Sequence, residues 1–456
     1  MQANQALKEA FNFHIQGRLD EAEKLYLQLL KKTPDDSELL NLTGLLKLRK
    51  NQPEDALSFF KKAFEINPNS FEIRFNLALA YKKNNETDKA VELYKKALEI
   101  DSSNYKVYFN LGHIFESKNE TATALEYYKK AYEYSKDEEG GNDEITYFLA
   151  LSYMKMKNYT EGLIHYEARP SKKFAILSQE LQYKEQIISK PFWSGTEAKD
   201  KTIFVYYESA LGDTLMYSRY LKLLKDKFKK VLFKPQVCLM DFFKENNFGA
   251  EIIDLKTHPD DVKFDFHLPI MSLPYALNLM SEEIPFSEGY LKANLSKIEK
   301  YKEEYFNNDK FKIGIKWMGN PTYETSRIIN IEAFYDLFEI ENTQFYSLQK
   351  GDGIEELEKI PSKYNVIDLG KTFEDFTDTA AAIENLDLVI CNDTSIAHLA
   401  GAMGKHCWIL LPFVQNWRWH TDISYSPWYK SVKLYKQIEP ENWGEVFERI
   451  KGVRGK

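Results

Sequence analysis

Small and aromatic residues recur through the first third of the chain at a spacing of 34 residues. Alanine fills one column of this pattern, at Ala22, Ala56, Ala90 and Ala124. An aromatic ring fills a second column, at Tyr26, Phe60, Tyr94 and Tyr128, and a third column holds Gly44, Ala78 and Gly112. Small residues let paired helices cross closely, and a ring fills the gap to the next pair. The pattern predicts a solenoid of about five helix pairs over residues 1–169.

A fifth unit follows after a slip of four residues, with matching positions at Ala150, Tyr153, Gly162 and Tyr166. The slip falls in the segment 135–143, where the composition predicts an exposed loop. Arg169-Pro170 is expected to end the array. We expect residues 170–200 to form a capping helix, at Phe174 to Ile188, and then a linker.

After residue 200 the pattern changes to short apolar strands that alternate with helices. Thr202 to Tyr207 predicts a strand, and apolar residues at helical spacing follow from Leu215 to Leu224. We expect one Rossmann-like domain at 201–305, a second at 306–430 and a helical segment at 431–456. Two such domains in succession predict a cleft between them.

The second domain contains one strand-helix-strand unit with distinctive polar residues. Leu386 to Cys391 and Cys407 to Leu411 are its predicted strands. Between them, Asp393-Thr394-Ser395 is expected to cap a helix that Gly404 ends. Unpaired amides and the helix dipole make such a helix start favourable for an anion such as phosphate. An ordinary capped helix of an α/β domain explains the same residues.

Charge and cysteine content bear on the class of protein. The net charge is −8 and neither region is basic, so we expect no nucleic-acid partner. The three cysteines show neither metal nor disulfide spacing, and we expect reduced core thiols. The polar N-terminus lacks a signal-peptide segment, and no apolar run approaches the ~20 residues that span a bilayer. A cytoplasmic protein without a transmembrane segment is predicted.

The repeating columns resemble the tetratricopeptide repeat (TPR), a helix-turn-helix unit that stacks into a superhelix. This resemblance implies a concave face that holds a protein or peptide partner. Asn41, Asn76 and Asn110 fall at or near one recurring position on the first helices of the pairs. Their amides either clamp a peptide backbone or are solvated surface positions.

Six motifs follow one another after residue 200. They are Leu211-Gly212-Asp213, Trp317-x-Gly319-Asn320-Pro321, Ser347-Leu348-Gln349-Lys350-Gly351, Asp393-Thr394-Ser395-x-x-His398-Leu399-Ala400-Gly401-Ala402-x-Gly404, Leu411-Pro412-x-x-x-x-Trp417-Arg418-Trp419 and Ser426-Pro427-Trp428-Tyr429. This ordered set resembles the C-terminal region of TPR-fused glycosyltransferases related to the ADP-heptose heptosyltransferases. The likeness extends over residues 200–440. It implies the GT-B fold, with two Rossmann-like domains and the nucleotide sugar on the C-terminal one.

The resemblance also implies roles for individual residues. Asp213 matches the proposed base, which takes a proton as an acceptor oxygen attacks the anomeric carbon, although it could simply cap its helix. Thr394, Ser395 and the amides around them would hold the leaving phosphate. His398 would donate to phosphate or ribose, or else is a satisfied helix histidine.

A cation is also expected at the phosphate. Arg327 or Lys350 would supply it, with Arg327 favoured by the resemblance, and Asn320 belongs to the same donor site. The cleft lining is expected to include Gly212, Trp317, Trp417 and Arg418, although core or interdomain packing is the better single interpretation of Trp317. No Asp-x-Asp pair is present. We therefore expect no metal and no cofactor, because the helix dipole and Arg or Lys can neutralise the phosphate.

Together with these features, the resemblance implies a metal-independent, inverting glycosyltransferase of a bacterial cytoplasm. It would transfer a sugar from a nucleotide sugar to a protein recruited by the TPR domain, for example to Ser or Thr of flagellin. One alternative is a heptosyltransferase-like enzyme of lipopolysaccharide or cell-surface glycan assembly. Another is a TPR scaffold whose GT-B domain is not catalytic.

Overall fold

The computed structural model describes residues 2–136, 142–172, 189–254, 257, 261–322 and 325–454. The chain forms two compact units, Met1–Leu149 and Ala150–Lys456. This division falls earlier than the boundary predicted at residue 169. The finer boundaries predicted at residues 200, 305 and 430 stay predictions. The predicted capping helix at 174–188 and the centre of the predicted loop at 135–143 lie outside the described residues.

The first unit is built from helices at the predicted period. They are α1 (Gln2–Ile15), α2 (Leu19–Leu30), α3 (Ser37–Arg49), α4 (Pro53–Ile66), α5 (Phe71–Lys83), α6 (Thr87–Leu98), α7 (Tyr105–Ser117), α8 (Thr121–Tyr134) and the start of α9 (Asp143–Lys155). α2, α4, α6 and α8 begin at residues 19, 53, 87 and 121, each 34 residues after the one before. The 34-residue period is therefore confirmed as a period of helix pairs.

The recurring small and aromatic residues form the contacts between paired helices. The four alanines and four rings of the first two columns are all fully buried. A Cβ atom added to Gly44 would lie 2.6 Å from the Phe60 ring, and one added to Gly112 would lie 2.5 Å from the Tyr128 ring. The two helices of a pair therefore cross so closely that glycine leaves the ring its space.

The turn between the first and second helix of a pair contains a left-handed residue. Gly17, Asn51, Asn85 and Asn119 have φ angles of 78°, 57°, 60° and 61°. Asparagine tolerates this conformation better than most residues because its short side chain bonds locally. Lys157, in the turn after α9, has φ of 64°. These turn residues form a further column of the period, which the sequence analysis did not use.

The second unit contains two parallel sheets. Its strands are β1 (Ala198–Tyr206), β2 (Phe228–Lys234), β3 (Glu251–Ile252), β4 (Phe266–Pro269), β5 (Phe311–Lys316), β6 (Thr343–Ser347), β7 (Val366–Asp368), β8 (Leu388–Asn392), β9 (Cys407–Leu411) and β10 (Val432–Lys436). Among the described residues one sheet has the order β3-β2-β1-β4 and the other β10-β9-β8-β5-β6-β7. All neighbouring strands are parallel. This architecture is compatible with the predicted α/β class.

Helices connect and cover these strands. They are α10 (Tyr159–Tyr166), α11 (Leu211–Tyr217), α12 (Met240–Glu245), α13 (Leu273–Ala276), α14 (Leu295–Tyr305), α15 (Tyr335–Phe338), α16 (Phe376–Glu384), α17 (Ser395–Ala402) and α18 (Trp443–Arg454). A 3-10 segment, Ser218–Leu223, continues α11. The strand-helix-strand unit predicted around Asp393 is found as β8, α17 and β9, and Gly404 ends α17 with φ of 74°.

Alternation along β5 divides the six-stranded sheet into two faces. Odd-numbered residues point into a core that also includes residues of α18; its members include Ile313, Ile315, Trp317, Phe334, Val446 and Phe447. Even-numbered residues point to the opposite face. There, a Cβ atom added to Gly314 would lie 2.4 Å from Leu386, which follows α16.

Candidate functional site

Asp213 lies in the first turn of α11, beyond the loop that follows β1. Its Oδ2 accepts a hydrogen bond from the backbone amide of Ala210 at 3.2 Å, which is a capping role. Its Oδ1 pairs with the guanidinium of Arg418, 205 positions along the chain. Burial by itself would lower the pKa of Arg418, but the Asp213 carboxylate holds it above its usual value. Asp213 therefore combines the predicted capping role with a partly buried ion pair.

Helices α11 and α17 touch at Gly212. A Cβ atom on Gly212 would lie 2.7 Å from Cδ2 of His398. Gly401, further along α17, has the same close contact with Tyr429, whose ring would lie 2.4 Å from an added Cβ. Neither position leaves space for a side chain. Because Gly212 meets His398, the first turn of α11 lies beside the first turn of α17.

His398 is buried at this contact, with 5% of the residue exposed. Its ring stacks on Trp419 with centroids 5.4 Å apart, and its Nδ1 lies 3.0 Å from the hydroxyl of Tyr429. Burial lowers the pKa of His398 to about 4, although Asp393 acts in the opposite direction. The imidazole is therefore neutral at pH 7. These surroundings fit the satisfied helix histidine, and its contact with a ligand stays a prediction.

Arg327 binds the residue that precedes the start of α17. Its Nη1 lies 3.1 Å from Oδ2 of Asp393 and donates to the Asp393 carbonyl at 3.3 Å. Burial would raise the pKa of Asp393, but Arg327 and His398 hold it below its usual value. The buried amide of Asn392 donates to the carbonyls of Trp317 and Arg327 at 3.1 and 2.9 Å. Arg327 and the Asp393-Thr394-Ser395 motif, which the sequence assigned to one donor site, are therefore neighbours.

Thr394 occupies the N-cap position of α17 with an extended backbone. Its hydroxyl lies 3.5 Å from the carbonyl of Asn392 and caps no amide of α17 within the described chain. The expected side-chain cap is therefore not supplied by Thr394, because its hydroxyl turns back along the chain. A Cβ atom on Gly319 would lie 3.1 Å from Cγ2 of Thr394, so the loop after β5 passes this helix start.

Two other residues of the predicted donor site have partners within the protein. The ammonium of Lys350 donates to the carbonyl of Phe373. Asn320 is exposed, and its Oδ1 accepts from the amide and the hydroxyl of Thr322 at 2.9 and 2.7 Å. Of the two candidate cations, Arg327 is the one that contacts the segment before α17.

The tryptophans predicted for the cleft are packing residues. Trp317 is fully buried in the core on the odd-numbered face of β5, which fits the core-packing interpretation and not a cleft lining. Trp417 is 4% exposed, and its ring packs edge-on against Tyr166 and Trp428 with centroids 6.2 and 5.6 Å apart. The guanidinium of Arg418 lies 5.1 Å from the same ring. Trp417 therefore supports Arg418, the partner of the predicted base.

A buried ion pair at the loop between β1 and α11 was not predicted from the sequence. Arg169 and Glu208 are both 0% exposed, and Nε and Nη2 of Arg169 each lie 2.7 Å from a Glu208 oxygen. Ser272 accepts from Arg169, and Ser171 donates to Glu208, both at 2.7 Å. This bidentate pair ties the loop to the segment after α10. The sequence marked Arg169 only as the end of the array, because its partner is 39 positions away.

A second buried arginine was also missed. Arg219, in the 3-10 segment after α11, donates to the carbonyls of Met216 and Trp428 at 3.0 and 2.9 Å. Its guanidinium lies 4.7 and 4.8 Å from the ring centroids of Tyr290 and Tyr429. Arg219 therefore joins the segment after α11 to the Ser426-Pro427-Trp428-Tyr429 motif. The sequence of this motif does not reveal the contact, because the two segments are far apart along the chain.

Two of the three cysteines are core thiols. Cys391 and Cys407 are buried on neighbouring strands with their sulfurs 3.8 Å apart, whereas Cys238 is exposed, which corrects the expectation for that residue. In the described part of the chain, no three His, Cys, Asp or Glu side chains are grouped so that they could hold a metal ion. A search of the described helices found none whose length and apolar content would allow it to cross a membrane.

The recurring asparagines of the repeats are engaged within the first unit. Asn41 and Asn76 are 9% and 8% exposed, and Nδ2 of Asn76 donates to Oδ1 of Asn41 at 3.0 Å. Oδ1 of Asn110 accepts from Lys82 at 3.0 Å. The interpretation as solvated surface positions is therefore wrong for Asn41 and Asn76, and a peptide-clamping role stays a prediction.

Models of known protein families match the N-terminal region. Two that describe the tetratricopeptide repeat match residues 16–71 and 59–92. A third, the C-terminal ARM domain of tetratricopeptide repeat protein 21, matches residues 77–164. The N-terminal region therefore contains tetratricopeptide repeats, as the period of the sequence indicated. No curated protein sequence matches the chain.

Several solved structures resemble part of the chain. One is MamA, with 22% identity, 35% of this chain and 91% of that chain covered, and a TM-score of 0.32. A tetratricopeptide repeat protein from Parabacteroides merdae has 19% identity, covers 37% of this chain and 65% of its own, and has a TM-score of 0.32. A thermophilic TPR protein of Thermus thermophilus has 22% identity and a TM-score of 0.31, and the match covers 36% of this chain and 88% of that chain. Likenesses at TM-scores this low carry no argument about the α/β unit or its activity.

Proposed function

We propose that the α/β unit is a GT-B glycosyltransferase that uses a nucleotide sugar and modifies a protein recruited by the TPRs. The observation that carries the proposal is the contact between the first turns of α11 and α17, where Gly212 meets His398. Asp213 directly follows Gly212, and Thr394 precedes His398 by one helical turn, which supports a predicted base and a predicted phosphate site that act together. Two parallel sheets and the ordered motifs add support.

A departing nucleoside diphosphate needs positive charge and hydrogen-bond donors. The first amides of α17 would donate to it, since the hydroxyl of Thr394 does not cap them within the described residues. Arg327, oriented by Asp393 at 3.1 Å, would add a positive charge beside the same helix start. This arrangement supports a transfer in which protein groups neutralise the leaving phosphate, and we propose that no metal is required.

The acceptor hydroxyl needs a base in its ionised form. Asp213 is oriented by its ion pair with the guanidinium of Arg418. We propose that Asp213 takes the acceptor proton as the acceptor oxygen attacks the anomeric carbon and the sugar leaves its phosphate. A general base of this kind typically contributes 10²–10⁴-fold to the rate.

The TPRs, which suggest a protein-interaction role, support a protein as the acceptor. TPR arrays stack into curved surfaces that bind partners along their length. We propose that the array selects the polypeptide and that the α/β unit glycosylates a Ser or Thr hydroxyl, as on a flagellin-like acceptor.

A protein-binding scaffold is the second candidate function. It is favoured by the internal pairing of the predicted site groups: Asp213 pairs with Arg418, and Asp393 pairs with Arg327. A cluster satisfied by its own side chains is also what a purely structural contact between two helices requires.

The proposal is tested by ligand-induced stabilisation of the full chain. Thermal unfolding is followed with ADP, UDP, GDP and CMP and with their sugar conjugates. We expect one nucleotide class to raise Tm, because a ligand that binds only the folded state stabilises it by RT ln(1 + [L]/Kd). The sugar conjugate of that class should then release its nucleotide and label Ser or Thr of a protein acceptor, as read by mass spectrometry.

The variant Asp213→Asn separates the two candidate functions. For an enzyme we expect the nucleotide-induced rise in Tm to persist while nucleotide release and acceptor labelling fall at least a hundredfold. Glu288→Gln, which removes an exposed carboxylate paired with Lys430, is the matched control and should retain both. Unchanged turnover by Asp213→Asn would refute the assigned base. A Tm unaffected by every ligand would favour the scaffold.

A further inference from the structure

Lys316 lies at an unusual place for a lysine. It is the last residue of β5, an interior strand of the six-stranded sheet, and it is only 8% exposed. Its position on the even-numbered face of β5 turns it away from the core that contains Trp317. It pairs in register with Cys391 of β8, two residues before Asp393. The side chain therefore starts at the carboxyl edge of the sheet, beside the strand that leads into α17.

The ammonium of Lys316 has no hydrogen-bond or ion-pair partner among the residues that the structure describes. The acidic groups that act on it from neighbouring segments are the Cys391 thiol and the Asp352 carboxylate. Burial outweighs both and lowers the pKa of Lys316 to about 8. In such surroundings the charged form of a lysine is unfavourable. Either the amine becomes neutral, or the ammonium gains a counter-ion.

The other basic groups of the predicted site differ from Lys316 in this respect. Arg327, Arg418 and Lys350 each bind an oxygen of the protein. Their partners are the carboxylates of Asp393 and Asp213 and the carbonyl of Phe373, in that order. Lys316 thus combines deep burial with a cationic group that the described protein leaves without a counter-ion.

We propose that Lys316 binds an anionic group of a ligand at the carboxyl edge of this sheet, and that the group is a phosphate of a nucleoside diphosphate. This inference rests on the proposed function, which brings a diphosphate to the start of α17. The loop that begins after Lys316 reaches Thr394 at Gly319, where an added Cβ would lie 3.1 Å from the Thr394 methyl. Lys316 and the helix start therefore border the same edge, and a phosphate would serve as the counter-ion of the lysine.

The first test measures nucleotide affinity of full-length variants by isothermal titration calorimetry, with ADP, UDP and GDP as probes. We expect Lys316→Met to weaken binding of the preferred diphosphate at least tenfold. Methionine keeps the length and volume of the side chain but removes the charge. Lys310→Met is the matched control, because Lys310 is exposed just before the amino end of β5. The control should bind as the wild type does.

A second readout keeps this inference separate from the proposed function. Reductive methylation, followed by mass spectrometry, reports the accessibility of Lys316 with and without inorganic pyrophosphate. We expect pyrophosphate to slow modification of Lys316 at least threefold and to leave Lys310 unchanged.

The outcomes are distinguishable. Wild-type affinity in Lys316→Met would overturn the role of Lys316, even if nucleotides bind and the proposed function holds. If no nucleotide binds the wild type, the proposed function fails; protection of Lys316 by pyrophosphate would then still support an anion site. Absence of both nucleotide binding and protection would overturn the site as well.

Discussion

The TPR unit and the α/β unit bury polar groups in different ways. In the TPR unit, buried polar contacts join residues that are at most about one repeat apart, such as Asn76 and Asn41 at 35 positions. In the α/β unit, buried charges come from distant segments, and Asp213 and Arg418 are 205 positions apart. The stability of stacked repeats is approximately a sum of neighbouring contacts. The difference teaches that single charges matter most where the chain returns to itself from far away.

The largest effect is expected from breaking the pair between Arg169 and Glu208. Arg169→Met leaves the Glu208 carboxylate, which is 0% exposed, without its bidentate partner. We expect the free energy of unfolding of the α/β unit to fall by about 3–5 kcal/mol. Urea unfolding of the full chain, followed by tryptophan fluorescence, measures the change.

An exposed ion pair provides the control for this experiment. Lys430 and Glu288 are paired with 65% and 74% of their side chains exposed. We expect Lys430→Met to cost less than about 1 kcal/mol. Equal effects of Lys430→Met and Arg169→Met would contradict the importance assigned to the buried pair.

Acid should affect the α/β unit more than the TPR unit. Burial lowers the pKa of His267 and His398 in the α/β unit, and of His113 in the TPR unit, to about 4 each. The unfolded chain then binds more protons between pH 6.5 and pH 4, so the free energy of unfolding falls as the pH decreases through this range. Each histidine contributes on the order of 1.4 kcal/mol per pH unit.

Thermal unfolding of the full chain between pH 7 and pH 4.5 measures this dependence. His398→Gln should make the transition of the α/β unit less sensitive to acid, because glutamine has no proton to gain. His406→Gln changes an exposed side chain and is the matched control. An acid response that is identical in both variants would argue against a neutral, buried His398.

The smallest effects are expected from two tyrosines at equivalent positions of the repeats. The Tyr128 hydroxyl donates to Glu116 at 2.8 Å and lies 3.1 Å from His113, whereas the buried Tyr94 hydroxyl has no partner among the described residues. We expect Tyr128→Phe to lower the free energy of unfolding by about 1–2 kcal/mol and Tyr94→Phe to raise it by about 1 kcal/mol. Far-UV circular dichroism during urea unfolding measures both.

Phe60 supports the direction of the second change, because phenylalanine already occupies the same column one repeat earlier. A loss of stability in Tyr94→Phe as large as that in Tyr128→Phe would contradict the assignment of hydrogen bonds. It would also weaken the comparison between the units, because polar contacts of the repeats would then resemble those of the α/β unit.

The sequence predicted the elements better than the site. The strand that ends before Asp393, its following helix and the helix end at Gly404 were all found, because an apolar run and a glycine are local signals. For Trp317 the sequence left a cleft lining and core packing open, and the alternation of β5 turns it into the core. Arg169 and Arg219 were not recognised, because a buried arginine is identified by its partners and the partners are remote.

The sequence by itself determined the TPR array, because each repeat specifies its own helices and its own contacts within 34 residues. The sequence also determined that strands and helices alternate after residue 200. Only the tertiary structure decided that Asp213 pairs with Arg418 and that Lys316 lies buried without a partner in the described chain. Charge pairing in a core depends on which segments the fold brings together. The spacing of two residues along the chain does not determine the distance between them in space.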